Sequence, residues 1–77
     1  MNAKLTWLCR RGMRELDIIL SDFAKNHYNS LPKLDQDLFI KLLSCEDSEL
    51  FEWIFMNKQS DDKGIDRILH LLKKSTH

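Results

Sequence analysis

The sequence predicts an all-α protein, a compact bundle of five short helices. Three observations predict it. Apolar residues recur at three- and four-residue spacing over successive stretches of the chain, which is the signature of helices with one buried face. No stretch alternates apolar and polar residues for long enough to make a sheet strand. The two glycines and the single proline, Gly12, Pro32 and Gly64, fall near breaks in the periodicity rather than inside it, as expected of turns between helices. At 77 residues the chain is read as one domain spanning 1–77, since independent cores usually need on the order of 100 residues each.

The first helix is expected over Lys4 to Arg10, with Leu5 and Leu8 as its apolar members. Arg10 and Arg11 sit near its C-terminal end, where positive charge suits the macrodipole, and Gly12 stops it. The second runs from Met13 to about His27. It places Leu16, Ile19, Leu20 and Phe23 on one face, with Glu15 and Asp17 in its first turn. Pro32, with its fixed φ, suits the start of a third helix over Lys33 to Leu43 that buries Leu34, Leu38, Phe39 and Leu42. After a turn at Ser44 to Asp47, a fourth helix runs to about Met56 with Leu50, Phe51, Ile54 and Phe55 at helical spacing. Asp47 or Ser48 is its expected N-cap. Asn57 to Asp62 is a polar loop. The last helix, to about Lys74, has Ser60 and Asp61 as candidate caps, Ile65, Ile68, Leu69 and Leu72 inward, and Lys73 and Lys74 at the favourable end. Gly64 in its first turn costs up to about 1 kcal/mol against alanine. The chain is expected to be ordered throughout except at its ends.

Charge and cysteine content narrow the function. Acidic and basic residues balance to a net charge of zero, whereas a domain living on phosphate contacts carries a basic excess, so nucleic acid is not expected as a partner. No run approaches the roughly 20 apolar residues of a membrane span, and Met1 to Thr6 lacks a signal-peptide core. Cys9 and Cys45 show no disulfide framework, which fits reduced thiols in the cytoplasm.

Catalytic apparatus is not visible. His27, His70 and His77 are far apart, and no His-x-x-x-His or Cys-x-x-Cys pair preorganises a metal. Glu46-Asp47-x-Glu49 lacks the ligand order and central glycine of a calcium loop. No glycine-rich phosphate loop or nucleophile elbow occurs. Cys9 beside Arg10 could be an activated thiolate, but as a small hydrophobe on the first helix it needs no chemistry. Trp7 and Trp53 are equally readable as interface anchors and as core filler.

Arg10-Arg11-Gly12-Met13-Arg14-Glu15 stands apart, with three guanidinium groups and a carboxylate around a glycine at an interhelix corner. Read structurally, Arg10 and Arg11 complement a helix end, Gly12 takes a left-handed cap conformation and Glu15 complements the next helix start. Read functionally, Gly12 lets a partner's backbone approach while Arg11 and Glu15 make charge-assisted hydrogen bonds across an interface.

Arg11-Gly12-Met13-Arg14-Glu15 matches an Arg-Gly-x-x-Glu signature, and Trp7 to Asp17 as a run resembles the FAD assembly factor family. That family is known in bacteria as SdhE and in mitochondria as succinate dehydrogenase assembly factor 2. Tyr28, Leu31, Phe39, Leu42-Leu43-Ser44-Cys45 and Asp47-x-x-Leu50-Phe51-x-Trp53 fall where the family has like residues, so the resemblance covers Leu5 to roughly Met56. Beyond Met56 it rests on length and helical character.

The resemblance implies a five-helix protein, not an enzyme, that helps attach FAD covalently to the flavoprotein subunit of succinate dehydrogenase and, in some bacteria, of fumarate reductase. By resemblance Arg11, Gly12 and Glu15 are partner-binding residues, flanked by Arg10, Met13 and Arg14. FAD belongs to the client and is not held stably by this chain, which is expected to be a monomer when free. The client forms the flavin bond to its own histidine, so the factor would act by binding and populating one client conformation. Three rivals stand beside this reading. One is an antitoxin-type interaction protein opposing a membrane toxin, another a helix-turn-helix nucleic-acid binder built on Arg10, Arg11 and Arg14, and the third an enzyme acting through Cys9.

Overall fold

The computed structural model describes residues 3–75; the expected loosening of the chain ends, and His77, lie outside them. Five α-helices follow in order: α1 Ala3–Leu8, α2 Arg14–His27, α3 Lys33–Leu43, α4 Asp47–Phe55 and α5 Lys63–Ser75, with a 3-10 turn at Tyr28–Ser30 between α2 and α3. No strand occurs among the described residues. All five helices contribute to one core, from Leu5 and Cys9 at the start of the chain to Ile68 and Leu72 near its end. The described part measures 29 × 26 × 24 Å.

The longest helix follows its periodicity. α2 buries Leu16, Leu20, Phe23 and Ala24, and Ile19 lies half-buried at the edge of that face. Phe23 then meets Phe39 of α3 with ring centroids 5.1 Å apart, and Tyr28 approaches Phe39 from the other side at 5.9 Å. Tilted ring contacts of this kind add about 0.5–1.5 kcal/mol beyond the area they bury. They close the α2–α3 connection, where the Gln36 side-chain amide also donates to the Tyr28 carbonyl at 2.9 Å.

α3 starts where proline allows. Pro32 takes φ −57° at the N-cap position, and its carbonyl accepts the Gln36 N–H at 3.0 Å. Its buried face is rotated from the expected one, however. Leu34 is 66% exposed, Leu38 is half-buried, and the buried positions are Asp35, Phe39, Leu42 and Leu43. The cause lies on α5, where the Arg67 guanidinium makes a forked contact with Asp35, Nε to Oδ1 at 2.7 Å and Nη2 to Oδ2 at 3.2 Å. A carboxylate paired in this way can be turned inward, and Leu34, about 100° round the helix, is left in solvent.

α4 and α5 need three further corrections. Glu46 holds the N-cap position of α4 without a side-chain cap bond, so neither Asp47 nor Ser48 caps it. Phe55 is 41% exposed; Leu50 and Ile54 carry the buried face, with Trp53 packed against the core. α4 ends where Asn57 adopts φ +56° and Lys58 N–H turns back to the Glu52 carbonyl. α5 buries Ile65, Ile68, Leu69 and Leu72 as expected. Its cap is Asp62, whose Oδ1 accepts from Gly64 N–H at 2.8 Å and Ile65 N–H at 3.1 Å, rather than Ser60 or Asp61. Gly64 has a packing reason: a Cβ there would lie 2.7 Å from a Leu38 methyl, so α5 approaches α3 closely at this point.

Two consequences are measurable. Leu20 is fully buried, and Leu20→Ala lowers unfolding free energy in urea by about 2–5 kcal/mol, the usual range for such truncations. The Asp35 carboxyl is held below its ordinary range, first by its hydrogen bonds to Arg67, against the opposing effect of burial. Its contribution to stability is therefore present above the unfolded carboxylate pKa of about 3.9 and is lost as pH falls through the lower folded value. Urea melts between pH 7 and pH 2.5 show a shallower acid limb for Asp35→Asn than for the wild type.

Candidate partner-binding corner

The chain leaves α1 through one further tight turn, with Cys9 N–H on the Leu5 carbonyl and Arg10 N–H on the Trp7 carbonyl, each at 3.1 Å. Arg10 and Arg11 thus lie beyond α1 and do not complement its end. Gly12 takes the expected left-handed conformation, φ +83°, but well past Leu8, so it reverses the chain into α2 and is not a helix cap. A Cβ added at Gly12 would meet nothing within 4 Å. Glycine is required there by its φ alone, and the space above it is open.

Arg11 holds this corner from inside. Its backbone N–H donates to Asp17 Oδ1 in the first turn of α2. Its guanidinium crosses to the turn between α3 and α4: Nε donates to Asp47 Oδ1 at 2.6 Å, Nη1 to the Leu43 carbonyl at 2.6 Å, and Nη2 to the Cys45 carbonyl. Only 17% of the side chain is exposed. Two of those acceptors are carbonyls at the C-terminal end of α3 and just after it, which carry the negative end of the helix dipole and lack intrahelical partners.

The rest of the Arg10 to Glu15 set divides by exposure. Arg10, Gly12, Arg14 and Glu15 are exposed, and the two arginines and the glutamate form no ion pair with other described residues. Met13 is half-buried against the core. Trp7, 74% exposed, is surface rather than core filler, whereas Trp53 packs inward. The corner therefore presents two cations, a carboxylate and open backbone to solvent, on a framework fixed beneath by Arg11. Exposed donors and acceptors on fixed backbone are suited to charge-assisted recognition of another protein surface.

Cys9 takes no part in that surface. It is fully buried, its thiol donates to the Leu20 carbonyl at 3.7 Å, and its pKa is pushed up to about 11 by burial, with Arg11 pulling it down and Asp17 pushing it up. An activated thiolate needs the opposite environment.

Asp17, Asp47 and the carbonyls of Leu43 and Cys45 were not among the site residues read from sequence, although they decide where Arg11 goes. Their only sequence signal is that all four positions fall in the runs resembling the FAD assembly factors.

Comparison with known proteins extends that resemblance through α5. Residues 3–76 match the family model described as flavinator of succinate dehydrogenase. The chain is 44% identical over 71 residues to the FAD assembly factor SdhE of Photorhabdus laumondii, covering 92% of this chain and 81% of that protein. It is 43% identical over 67 residues to the SdhE of Shewanella oneidensis, with 87% and 82% covered, and 38% identical over 69 residues to that of Pseudomonas putida, with 90% and 82% covered.

Two measurements check the geometry. At pH 8 a soluble disulfide reagent modifies Cys9 no faster than the native state opens, whereas urea-unfolded chain reacts at once. Gly12→Ala, which meets no neighbour but must hold φ +83°, lowers stability by about 1–2 kcal/mol in the same urea titration.

Proposed function

The chain belongs to the family of flavinators of succinate dehydrogenase, and from that premise we propose that it is a non-catalytic assembly factor. It binds the flavoprotein subunit of succinate dehydrogenase, and in some settings fumarate reductase, and promotes covalent attachment of FAD. The observation that carries the reading from family to site is the corner itself: Gly12 is open, Arg10, Arg14 and Glu15 are exposed and form no ion pair with other described residues, and the backbone that bears them is fixed. We assign client contact to Arg10, Gly12, Met13, Arg14 and Glu15, together with the surface that Arg11 shapes.

The factor works by differential binding. The flavin bond forms on a side chain of the client, and FAD is the client's cofactor, with this chain supplying the surface that favours one client conformation. A partner that bound both conformations equally would shift nothing; each tenfold preference for the competent form raises its population relative to the other by the same factor. A small rigid corner suits this role because little ordering entropy is lost on its side of the interface. The protein is a monomer when free and works in the cytoplasm; no described helix is long and apolar enough to cross a membrane.

The test is covalent flavin in the succinate dehydrogenase flavoprotein subunit, read as in-gel fluorescence after denaturation. The wild-type protein raises the signal above the level without factor, and Gly12→Arg, verified as folded, does not. Equal signals in every lane remove the proposal.

A further inference from the structure

We propose that Asp47, on α4 and outside the signature, is a positioning residue for client binding that acts through Arg11. This rests on the assembly-factor reading given above and changes the role of its first signature residue. Arg11 has five N–H donors on three nitrogens. Each nitrogen is already engaged within the chain, on Asp47, Leu43 and Cys45, and the side chain is largely covered. The two donors left over belong to a side chain only 17% exposed, which leaves a client carboxylate little access for the bidentate contact that arginine usually offers. Arg11 therefore does not reach the client. It connects the α1–α2 corner to the α3–α4 turn, and its own amide on Asp17 fixes the residue immediately before Gly12.

Asp47 completes that arrangement. Of the three guanidinium acceptors it is the one side chain, and its carboxylate takes Nε, the nitrogen that sets the rotation of the guanidinium plane. The carbonyls of Leu43 and Cys45 can each be met by a rotated arginine, but together with Asp47 they define one orientation. Asp47 has its own backbone in the first turn of α4, and its carboxylate performs no capping there. It is thus available to act on a corner 36 residues earlier in the chain. Without it Nε has no acceptor and the guanidinium is held by two bonds instead of three, so the corner samples more conformations and client binding bears the cost of reordering it.

A contact role and a positioning role for Arg11 give different results. Binding of purified flavoprotein subunit is measured for wild type, Arg11→Ala, Asp47→Ala and the double variant, at a temperature where circular dichroism shows all four folded. Flavinylation is titrated against factor concentration, and amide hydrogen exchange is followed in the free proteins. Positioning predicts that Asp47→Ala, which removes the Nε acceptor, raises Kd by about tenfold although it removes no client contact, and that the double variant is no worse than Arg11→Ala alone. The flavinylation plateau at saturating factor is unchanged in Asp47→Ala while the half-saturating concentration rises. Exchange at Arg11 to Met13 accelerates in Asp47→Ala, with core amides of α2 and α5 still protected. A wild-type Kd, or unchanged exchange at the corner, in folded Asp47→Ala overturns the proposal. Lack of binding and flavinylation by the wild-type protein overturns the assembly-factor reading instead, and the exchange result remains readable without any client.

Discussion

The Arg11 guanidinium is the interaction on which the corner's geometry depends. It joins two connections that are distant in sequence, the α1–α2 reversal and the α3–α4 turn, and it does so where helix-end carbonyls and the Asp47 carboxylate would otherwise lack partners. A short, marginal chain has few ways to hold a surface loop still, since it has no disulfide and a small core. Forked hydrogen bonding by one half-buried arginine holds this one. Arg67 does the same between α5 and α3 by allowing Asp35 to be buried.

Both arginine contacts mark the limit of what was legible in the sequence. Apolar spacing located all five helices to within a few residues, because a helix that buries one face must repeat its apolar residues every three or four positions. It misplaced the buried face of α3, where a polar side chain is paired across the bundle. Leu34 was expected inside and is outside, because Asp35 takes the inward position against an arginine 32 residues away, and no local rule contains that pairing. Asp47 was expected to cap α4 for the same reason, its true partner being 36 residues upstream. The left-handed state of Gly12 was readable from residue type, but its place beyond the helix end was not, since α1 closes early with a tight turn. Of the site, the exposed members were legible as a cluster of charge, whereas the inward turn of Arg11 required the fold.

A signature with one member inside and the others outside has a functional logic. On the assembly-factor reading proposed above, client binding depends on the exposed charges and the open glycine, and equally on whatever keeps them in one conformation. For an assembly factor that works by favouring one state of its client, the free energy that shifts the client is the difference between two binding energies, and preorganisation sets how much factor is needed to apply it. Disorder in the factor's own surface reduces affinity for both states and demands more factor for the same effect.

The most direct test of this account follows the Arg11 side chain during binding. In the 15N-labelled protein titrated with the purified succinate dehydrogenase flavoprotein subunit, the account predicts perturbed amide resonances at Gly12, Arg14 and Glu15. The Arg11 Nε–H resonance keeps the position set by its bond to Asp47. An Arg11 Nε–H that moves on binding as Asp47 is released would show that this arginine leaves its internal acceptors to contact the client, and would contradict the account.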